Sequence, residues 1–487
     1  MTERSPRLAT IKWGWPLITL AGLLAWDAAS AQQADERTLI YSGDGLDVRW
    51  HLQLGLNAVS ERDLFWNFSE TIAPSSGFDP DADWLETYIK PGLSFDWTLD
   101  NGSVVYGKVS GVASYTAGTD AFDAGDTGRI TLEEGYLGYR TPETEVPTLD
   151  VSLGPRELKL GSGMLIANGG SSGFERGALK FGPRKAWENA VIGRLSGEGL
   201  TGIGFYLDPN ELPSSDGKNE FAGFDLRYDD PSGGYFGGTY LNVLHSNSVY
   251  PQAAPGGIGP PSIIPGGREG TNAINLYGKT NPFDGPFEQW FLTGDFAYEW
   301  NDAVDMSAWA GRIQIGYSFE NLGWSPLLTY SYQTFSGDDP DTTTLERFDP
   351  LYYEGSPGAW ATGSKSSMVF INSNVQAHEV ALRLSPTESD TITLRYTHIR
   401  ANELDSPVQF GQATRVETSG GTVNVVSGVA DAHLSDDFFL EYSRVINRNT
   451  FLTAGVSVSF PGKGIREVVG GDASHWVGGF VNVVVNF

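Results

Sequence analysis

Phe480-Val-Asn-Val-Val-Val-Asn-Phe487 closes the chain in strict two-residue alternation. Successive side chains of a strand point to opposite sides, so Val481, Val483, Val485 and Phe487 share one face and Phe480, Asn482, Val484 and Asn486 share the other. Such a strand has one face that water does not favour. Near the other end the same rule holds from Leu46 to Ala58. There Leu46, Val48, Trp50, Leu52, Leu54, Leu56 and Ala58 interleave with Asp47, Arg49, His51, Gln53, Gly55 and Asn57 without a break in register.

Working inward from both ends, Asp100-Asn101-Gly102 is a tight-turn sequence that favours positive φ. It joins Leu93, Phe95, Trp97 and Leu99 to Val105, Val109, Ala113 and Tyr115, which predicts a hairpin. Continuing along the chain, strands are predicted at 46–58, 84–99, 103–116, 130–140, 148–159, 185–196, 200–207, 220–229, 233–244, 270–280, 287–300, 305–320, 325–336, 376–386, 390–400, 434–446, 450–460 and 475–487, eighteen in all. Most approach the ten or so residues of a tilted transmembrane strand, and no run after residue 31 is apolar enough for a helical span.

The connections alternate in length. Every second link is short and rich in Gly, Pro, Asn or Asp: Asn101-Gly102, Thr141 to Pro147, Gly197 to Leu200, Asp229 to Gly233, Pro282 to Pro286, Glu320 to Trp324, Pro386 to Ser389 and Asn447 to Asn449. The others include the long stretches 160–184, 245–269, 337–375 and 401–433. Outer-membrane barrels have short periplasmic turns and long outer loops, so the parity predicts a transmembrane antiparallel β-barrel of about eighteen strands with both termini in the periplasm. In hydrocarbon every backbone N–H and C=O needs an internal partner, and strands meet that demand by closing on themselves. A soluble β-helix or propeller would show a fixed repeat, and none is visible.

Composition agrees. With 61 Gly, 12% aromatic and only 19% charged residues in 487, the chain suits many turn-punctuated strands better than a helical enzyme. The absence of Cys removes disulfide stapling, so hydrogen-bond closure must supply the stability. A net charge of −28 excludes a nucleic-acid binder, because phosphate would be repelled.

At the amino-terminus Arg4, Arg7 and Lys12 precede an apolar run from Trp13 to Trp26 and then Ala29-Ser30-Ala31. That is the layout of a cleaved secretory signal. The expected organisation is a signal peptide at 1–31, a short periplasmic segment at 32–45 and a barrel at 46–487. The aromatic carboxy-terminus resembles the closing strand and assembly signal of bacterial outer-membrane barrels, which makes the barrel-assembly machinery a partner through Phe487. Lipid and lipopolysaccharide of a Gram-negative outer membrane are the expected surroundings, and a monomer the expected state.

Three further segments resemble the alginate-export family of outer-membrane proteins. They are Gly154-Pro-Arg-Glu-Leu-Lys-Leu-Gly161, similar to that family's Gly-Arg-Gln-Glu-Leu strand end; Phe335-Ser-Gly-Asp-Asp-Pro-Asp341 with Glu346-Arg-Phe-Asp-Pro350; and Asp405-Ser-Pro-Val-Gln-Phe-Gly-Gln412. Pro155 stands where the family has Arg, with Arg156 one place on. The resemblance implies an eighteen-stranded barrel through which an anionic exopolysaccharide such as alginate leaves the cell. The expected function is a channel for an anionic or polyhydroxylated substrate; a general or substrate-selective porin for small molecules, small anionic solutes among them, is the neighbouring reading, and an outer-membrane hydrolase is the reading from another class.

Transport of a polyanion needs a wet pore lined by cations. The interior register offers Arg49, Lys108, Arg156, Arg194, Arg227, Arg312, Arg383 and Arg395 as pore-lining groups. Facing lipid at mid-depth, each would cost about 2–4 kcal/mol. The competing use is structural, since Asp47, Asp96, Asp225, Asp295, Glu299, Glu379 and Glu441 share that register and would pair with them. Arg383 and Arg395 stand out because they flank one turn at comparable heights.

Acidic runs fall in outer segments, at Asp79 to Asp83, Asp120 to Asp126 and Asp338 to Asp341. Carboxylates of this kind can bind Ca²⁺ or simply stay solvated and repel one another. No EF-hand spacing occurs, and no other cofactor or metal is expected. Of the six His, none sits in a metal-ligand spacing, and no P-loop is present, so no catalytic residue is assigned. Pro251 to Gly267 reads as a flexible outer loop. Loops 337–375 and 401–433 have two open readings, an inward constriction or an outer lid. Trp66, Trp84, Trp97, Trp300, Trp309 and Trp324 read as interfacial girdles or as core.

Overall fold

The computed structural model describes residues 38–67, 79–280, 287–355, 360–363, 370–408, 428–471 and 473–487. The leader, its cleavage site and the Pro282 to Pro286 turn lie outside the described residues. A short strand β1 (Leu39–Gly43) precedes β2 (Leu46–Arg62), β3 (Ala82–Thr98), β4 (Val104–Thr119), β5 (Gly125–Arg140), β6 (Thr148–Leu153), β7 (Trp187–Gly197), β8 (Leu200–Pro209), β9 (Glu220–Asp229) and β10 (Tyr235–His245). After a loop ribbon of β11 (Tyr250–Gln252) and β12 (Ser262–Ile264) come β13 (Asn272–Thr280), β14 (Trp290–Asn301), β15 (Met306–Ser318), β16 (Leu327–Phe335) and β17 (Val375–Thr387). β18 (Asp390–Ala401), β19 (His433–Asn447), β20 (Thr450–Pro461), α1 (Lys463–Val469) and β21 (Trp476–Asn486) complete the chain.

Eighteen of these strands, β2 to β10 and β13 to β21, form one antiparallel wall. It closes where β2 pairs with β21 from Gln53↔Asn486 to Arg62↔Val477. Phe487 finishes the seam: its N–H donates to the Leu52 carbonyl at 2.8 Å, Leu52 N–H donates back at 3.1 Å, and its ring stacks 6.0 Å from Trp50. Every predicted strand is present. The outward register carries the exposed large apolar side chains, such as Leu56, Ile130, Leu137, Phe224, Ile313 and Val481, as a lipid-facing wall requires. The short turns gather at one end of this wall and the long loops at the other.

Several expectations need correction. The strand expected at 148–159 ends at Leu153, because Gly154 turns the chain into the lumen. Its φ is +117°, and a Cβ there would fall 2.3 Å from the Gly135 carbonyl oxygen, so only glycine fits. Residues 39–43 are an added ribbon that continues the β21 edge of β2 below Phe487, reversed by Asp44-Gly45, both at positive φ. Pro251 to Gly267 is ordered by the β11–β12 ribbon and by the buried Tyr250. Trp66 and Trp84 are buried, whereas Trp97, Trp309 and Trp324 are exposed.

The inner face divides by height. In the outer half it is apolar, with Leu207, Phe221, Val243, Ala273, Ala308 and Val375 all buried, and inward-folded loops pack on it as a soluble core. Nearer the short turns it carries polar side chains such as Gln53, Lys108, Thr393, Arg395 and Thr453 around an open cavity.

Candidate functional site

The chain from Gly154 to Ala186 forms an inner loop held to the wall by buried carboxylates. Glu86 accepts the backbone N–H groups of Lys180 and Phe181, both at 2.9 Å, and the Trp84 indole at 3.0 Å. Glu133 accepts Lys185 N–H at 2.8 Å, Ala186 N–H at 3.2 Å and the Lys90 ammonium at 3.1 Å. Arg184 donates to Thr131, Ser114 and the Arg129 carbonyl at 2.7 to 2.9 Å. Loop backbone inside a barrel survives only when its polar groups are satisfied in this way.

A second segment crosses to meet the tip of this loop. Tyr352 N–H donates to the Leu165 carbonyl at 2.9 Å, Ala167 N–H to the Tyr352 carbonyl at 2.8 Å, and Lys159 pairs with Glu354 at 3.0 Å. The Trp187 and Phe221 rings flank Tyr352 at 5.4 and 5.3 Å. Segment 337–355 therefore folds inward. It meets the 154–186 loop, whose inward course the sequence did not announce. For 401–433, the stretch 409–427 lies outside the described residues.

A cavity of about 1450 Å³ passes these segments, lined by Thr453 and Asn486 towards the periplasm and by Ser215 and Ser248 among the outer loops. Its wall carries 14 Lys and Arg side chains against eight Asp and Glu, an excess of six positive charges. The whole chain carries −28. Most of the acidity therefore lies elsewhere, although Glu133 and Glu61 stand directly behind this lining and pair with Lys90 and Lys180.

Seven of the eight cations singled out in the sequence line this cavity, and Arg49 does not. Arg49 bonds Asp47 at 2.8 Å and Asp96 at 3.5 Å near the periplasmic end of β2. Lys108 pairs with Glu134 at 2.6 Å. Arg156 donates to Ser152 at 2.6 Å and Tyr106 at 3.0 Å, and sits 4.6 Å over the Tyr136 ring. Arg227 binds Asp229 and covers Tyr235 at 4.1 Å, and Arg312 covers Trp360 at 5.0 Å. Arg395 is 4.0 Å from Glu441 and 5.5 Å above Phe439.

Arg194 and Arg383 differ from the rest. Both face the cavity with no ion pair or side-chain hydrogen bond among the described residues, so their guanidinium donors remain for water or solute. The bracing network expected from the interior acids is only partial. Asp225 accepts Thr239 at 2.7 Å and Tyr277 at 2.8 Å, and Glu299 accepts the Asp349 N–H at 2.8 Å. Carboxylates spent on neutral donors leave the cations in surplus.

Sequence reasoning missed Lys90, Lys159, Lys180, Arg184, Lys185, Arg268 and Arg347 in this wall. Two signals were available: the basic stretch Lys180-Phe-Gly-Pro-Arg-Lys185, and Arg347 within Glu346-Arg-Phe-Asp-Pro350. Arg268 is bidentate to Asp349 at 2.6 and 2.9 Å; burial opposes its charge, but Asp349 outweighs that and holds it above the ordinary arginine value.

The outer acids are not all loop tips. Asp120 is buried and accepts Phe122 N–H at 2.9 Å and Ala124 N–H at 3.2 Å; burial pushes its carboxyl up to about 6 against those bonds. Asp338 likewise accepts Ala253 N–H at 2.6 Å and Glu346 N–H at 2.8 Å, and burial raises its carboxyl.

The alginate-export family model matches residues 264–478. The matched stretch carries β13 to β20 with Arg268, Arg312, Arg347, Arg383 and Arg395. No curated protein matches the chain. Among solved structures, OccK5 (OpdH) of Pseudomonas aeruginosa is 10% identical, covering 90% of this chain and 98% of its own, with a TM-score of 0.51. OccK2 (OpdF) of the same organism gives 11%, 90%, 97% and 0.50, and OccAB1 of Acinetobacter baumannii gives 11%, 90%, 97% and 0.51. At such identities the likeness speaks for the fold alone. With the eighteen-stranded wall and the family match, it makes this an outer-membrane β-barrel channel.

Proposed function

We propose that the channel passes an anionic, polyhydroxylated solute, a carboxylated polysaccharide of the alginate type, and that it does so without catalysis. The observation that carries this reading is the surplus of six positive charges along the cavity of an otherwise acidic chain. Field lines in a low-dielectric tube concentrate on the solute path, so that surplus acts on what enters. Arg194 and Arg383, without an ion pair among the described residues, attract carboxylates, while paired Lys108, Arg227 and Arg395 hold mixed sites that bind weakly enough for release.

A second reading, a channel for small organic anions, is favoured by the contact between the 154–186 loop and Tyr352, which narrows the outer half. Single-channel block by oligouronates of rising length separates the two. For polymer passage, residence time inside the pore increases with chain length up to and beyond about six sugars. Block by monomeric uronate alone, with longer oligomers excluded, favours the small-anion channel, and block by neutral oligosaccharides equal to the acidic ones overturns both.

A further inference from the structure

On the outer wall, away from the pore, β17, β18 and β19 bring three histidines and an aspartate to one height. His378 lies directly across from His398, and His398 across from Asp436. His398 Nδ1 is 2.8 Å from Asp436 Oδ1, His433 Nε2 is 2.9 Å from Asp436 Oδ2, and the two imidazole rings lie 4.9 Å apart. Tyr396 donates to Asp436 Oδ1 at 2.7 Å. The three side chains keep 29 to 31% of their surface, so they are reachable from outside yet held in place.

The position is unusual for its register. Along β18 the same face carries exposed Leu394 and Tyr396, and along β19 it carries Phe438 and Leu440, all lipid-facing. A carboxylate there needs compensation, which the two imidazoles and the tyrosine provide. The donor atoms of His398, His433 and Asp436 all lie within 4.8 Å of one another. Tetrahedral zinc places neighbouring donors about 3.4 Å apart, so side-chain rotation alone closes the set.

We propose that His398, His433 and Asp436 form a binding site for a divalent transition-metal ion of the zinc type, at the outer rim on the lipid side of the wall. Two nitrogen donors and one carboxylate select such an ion over Ca²⁺ or Mg²⁺, which take oxygen. Three protein ligands leave a fourth position for water or an anionic headgroup. The bound ion ties β18 to β19.

The test uses tag-free, chelator-stripped protein in detergent, with barrel closure checked by its heat-dependent gel mobility. Zn²⁺ is titrated against a chromogenic chelator. The site predicts one saturable equivalent per chain, a tetrahedral visible spectrum with Co²⁺, and no displacement by a tenfold excess of Ca²⁺. His433→Ala and Asp436→Asn each weaken binding roughly 30-fold or more, because each removes a ligand. His245→Ala, on a distant outer segment beside Glu269, leaves it unchanged. Absence of a saturable equivalent in the wild-type protein, displacement by Ca²⁺, or unchanged affinity in folded His433→Ala overturns the proposal.

Discussion

Replacing Arg383 with Glu is the cleanest perturbation of the pore. Arg383 has no ion pair or side-chain hydrogen bond among the described residues, so its reversal orphans no carboxylate. Arg395→Glu, by contrast, would set a carboxylate beside Glu441. An anion passing at about 6 Å in water feels about 0.7 kcal/mol per unit charge, so a two-charge reversal is worth about 1.4 kcal/mol, tenfold before screening. With Debye lengths of about 30 Å at 0.01 M and 3 Å at 1 M, the effect becomes about sevenfold and about 1.4-fold. Reversal potentials in planar bilayers under a KCl gradient read this directly. Relative anion permeability is expected to fall severalfold at low salt and barely at high salt. Equal permeability ratios in wild type and Arg383→Glu at 0.01 M, or a shift that ignores ionic strength, would refute the placement of Arg383 on the ion path.

Two other outcomes follow from the loop anchors. Glu86→Ala leaves the N–H groups of Lys180 and Phe181 without their acceptor, at about 1–3 kcal/mol each, so the inner loop should loosen and single-channel current become noisier and larger on average; steady wild-type current would count against it. At Asp120 the folded carboxyl titrates at about 6, above its unfolded value, so its stabilisation is complete below about pH 4 and lost as pH rises through 6. About 1.4 kcal/mol of that loss falls between pH 5 and 7.5, close to tenfold in local opening. Protease nicking between Thr119 and Gly125 should rise accordingly at pH 7.5, and Asp120→Asn should flatten the difference.

The wall was legible because lipid imposes a period. Thirteen alternating residues at 46–58 and eight at 480–487 announce an amphipathic strand wherever they occur, and the seam between β2 and β21 joins those same two stretches. Turn chemistry set the parity. It did not mark β1: Asp44-Gly45 is a hairpin dipeptide, but Leu39 to Gly43 is too short to show alternation, and 32–45 read only as a short segment before the barrel.

The lumen was legible only in part. Cations in the inward register could be named because a lipid-facing charge is costly, and seven of the eight line the cavity. Which of them keep their donors depends on distant partners. Arg395 lies 4.0 Å from Glu441, whereas Arg383 feels that carboxylate only at longer range and has no ion pair among the described residues, and no local pattern distinguishes the two. The 154–186 loop was hidden for the same reason. Its path is fixed by Glu86 and Glu133, carboxylates far away in sequence, and its interior tip of Met164, Leu165 and Ile166 carries no helical or strand period. Trp66 misled for a related reason: it lies at a strand end, but its indole donates to the Ser459 carbonyl at 3.2 Å inside the loop core.

The sign of ion selectivity in the unmodified protein tests the account most directly. In a tenfold KCl gradient at low ionic strength, a barrel with a basic lumen shows a reversal potential on the chloride side of zero, despite the chain's −28 charge. A reversal potential on the potassium side would mean that the acidic loops, and not the arginines of the wall, govern what enters.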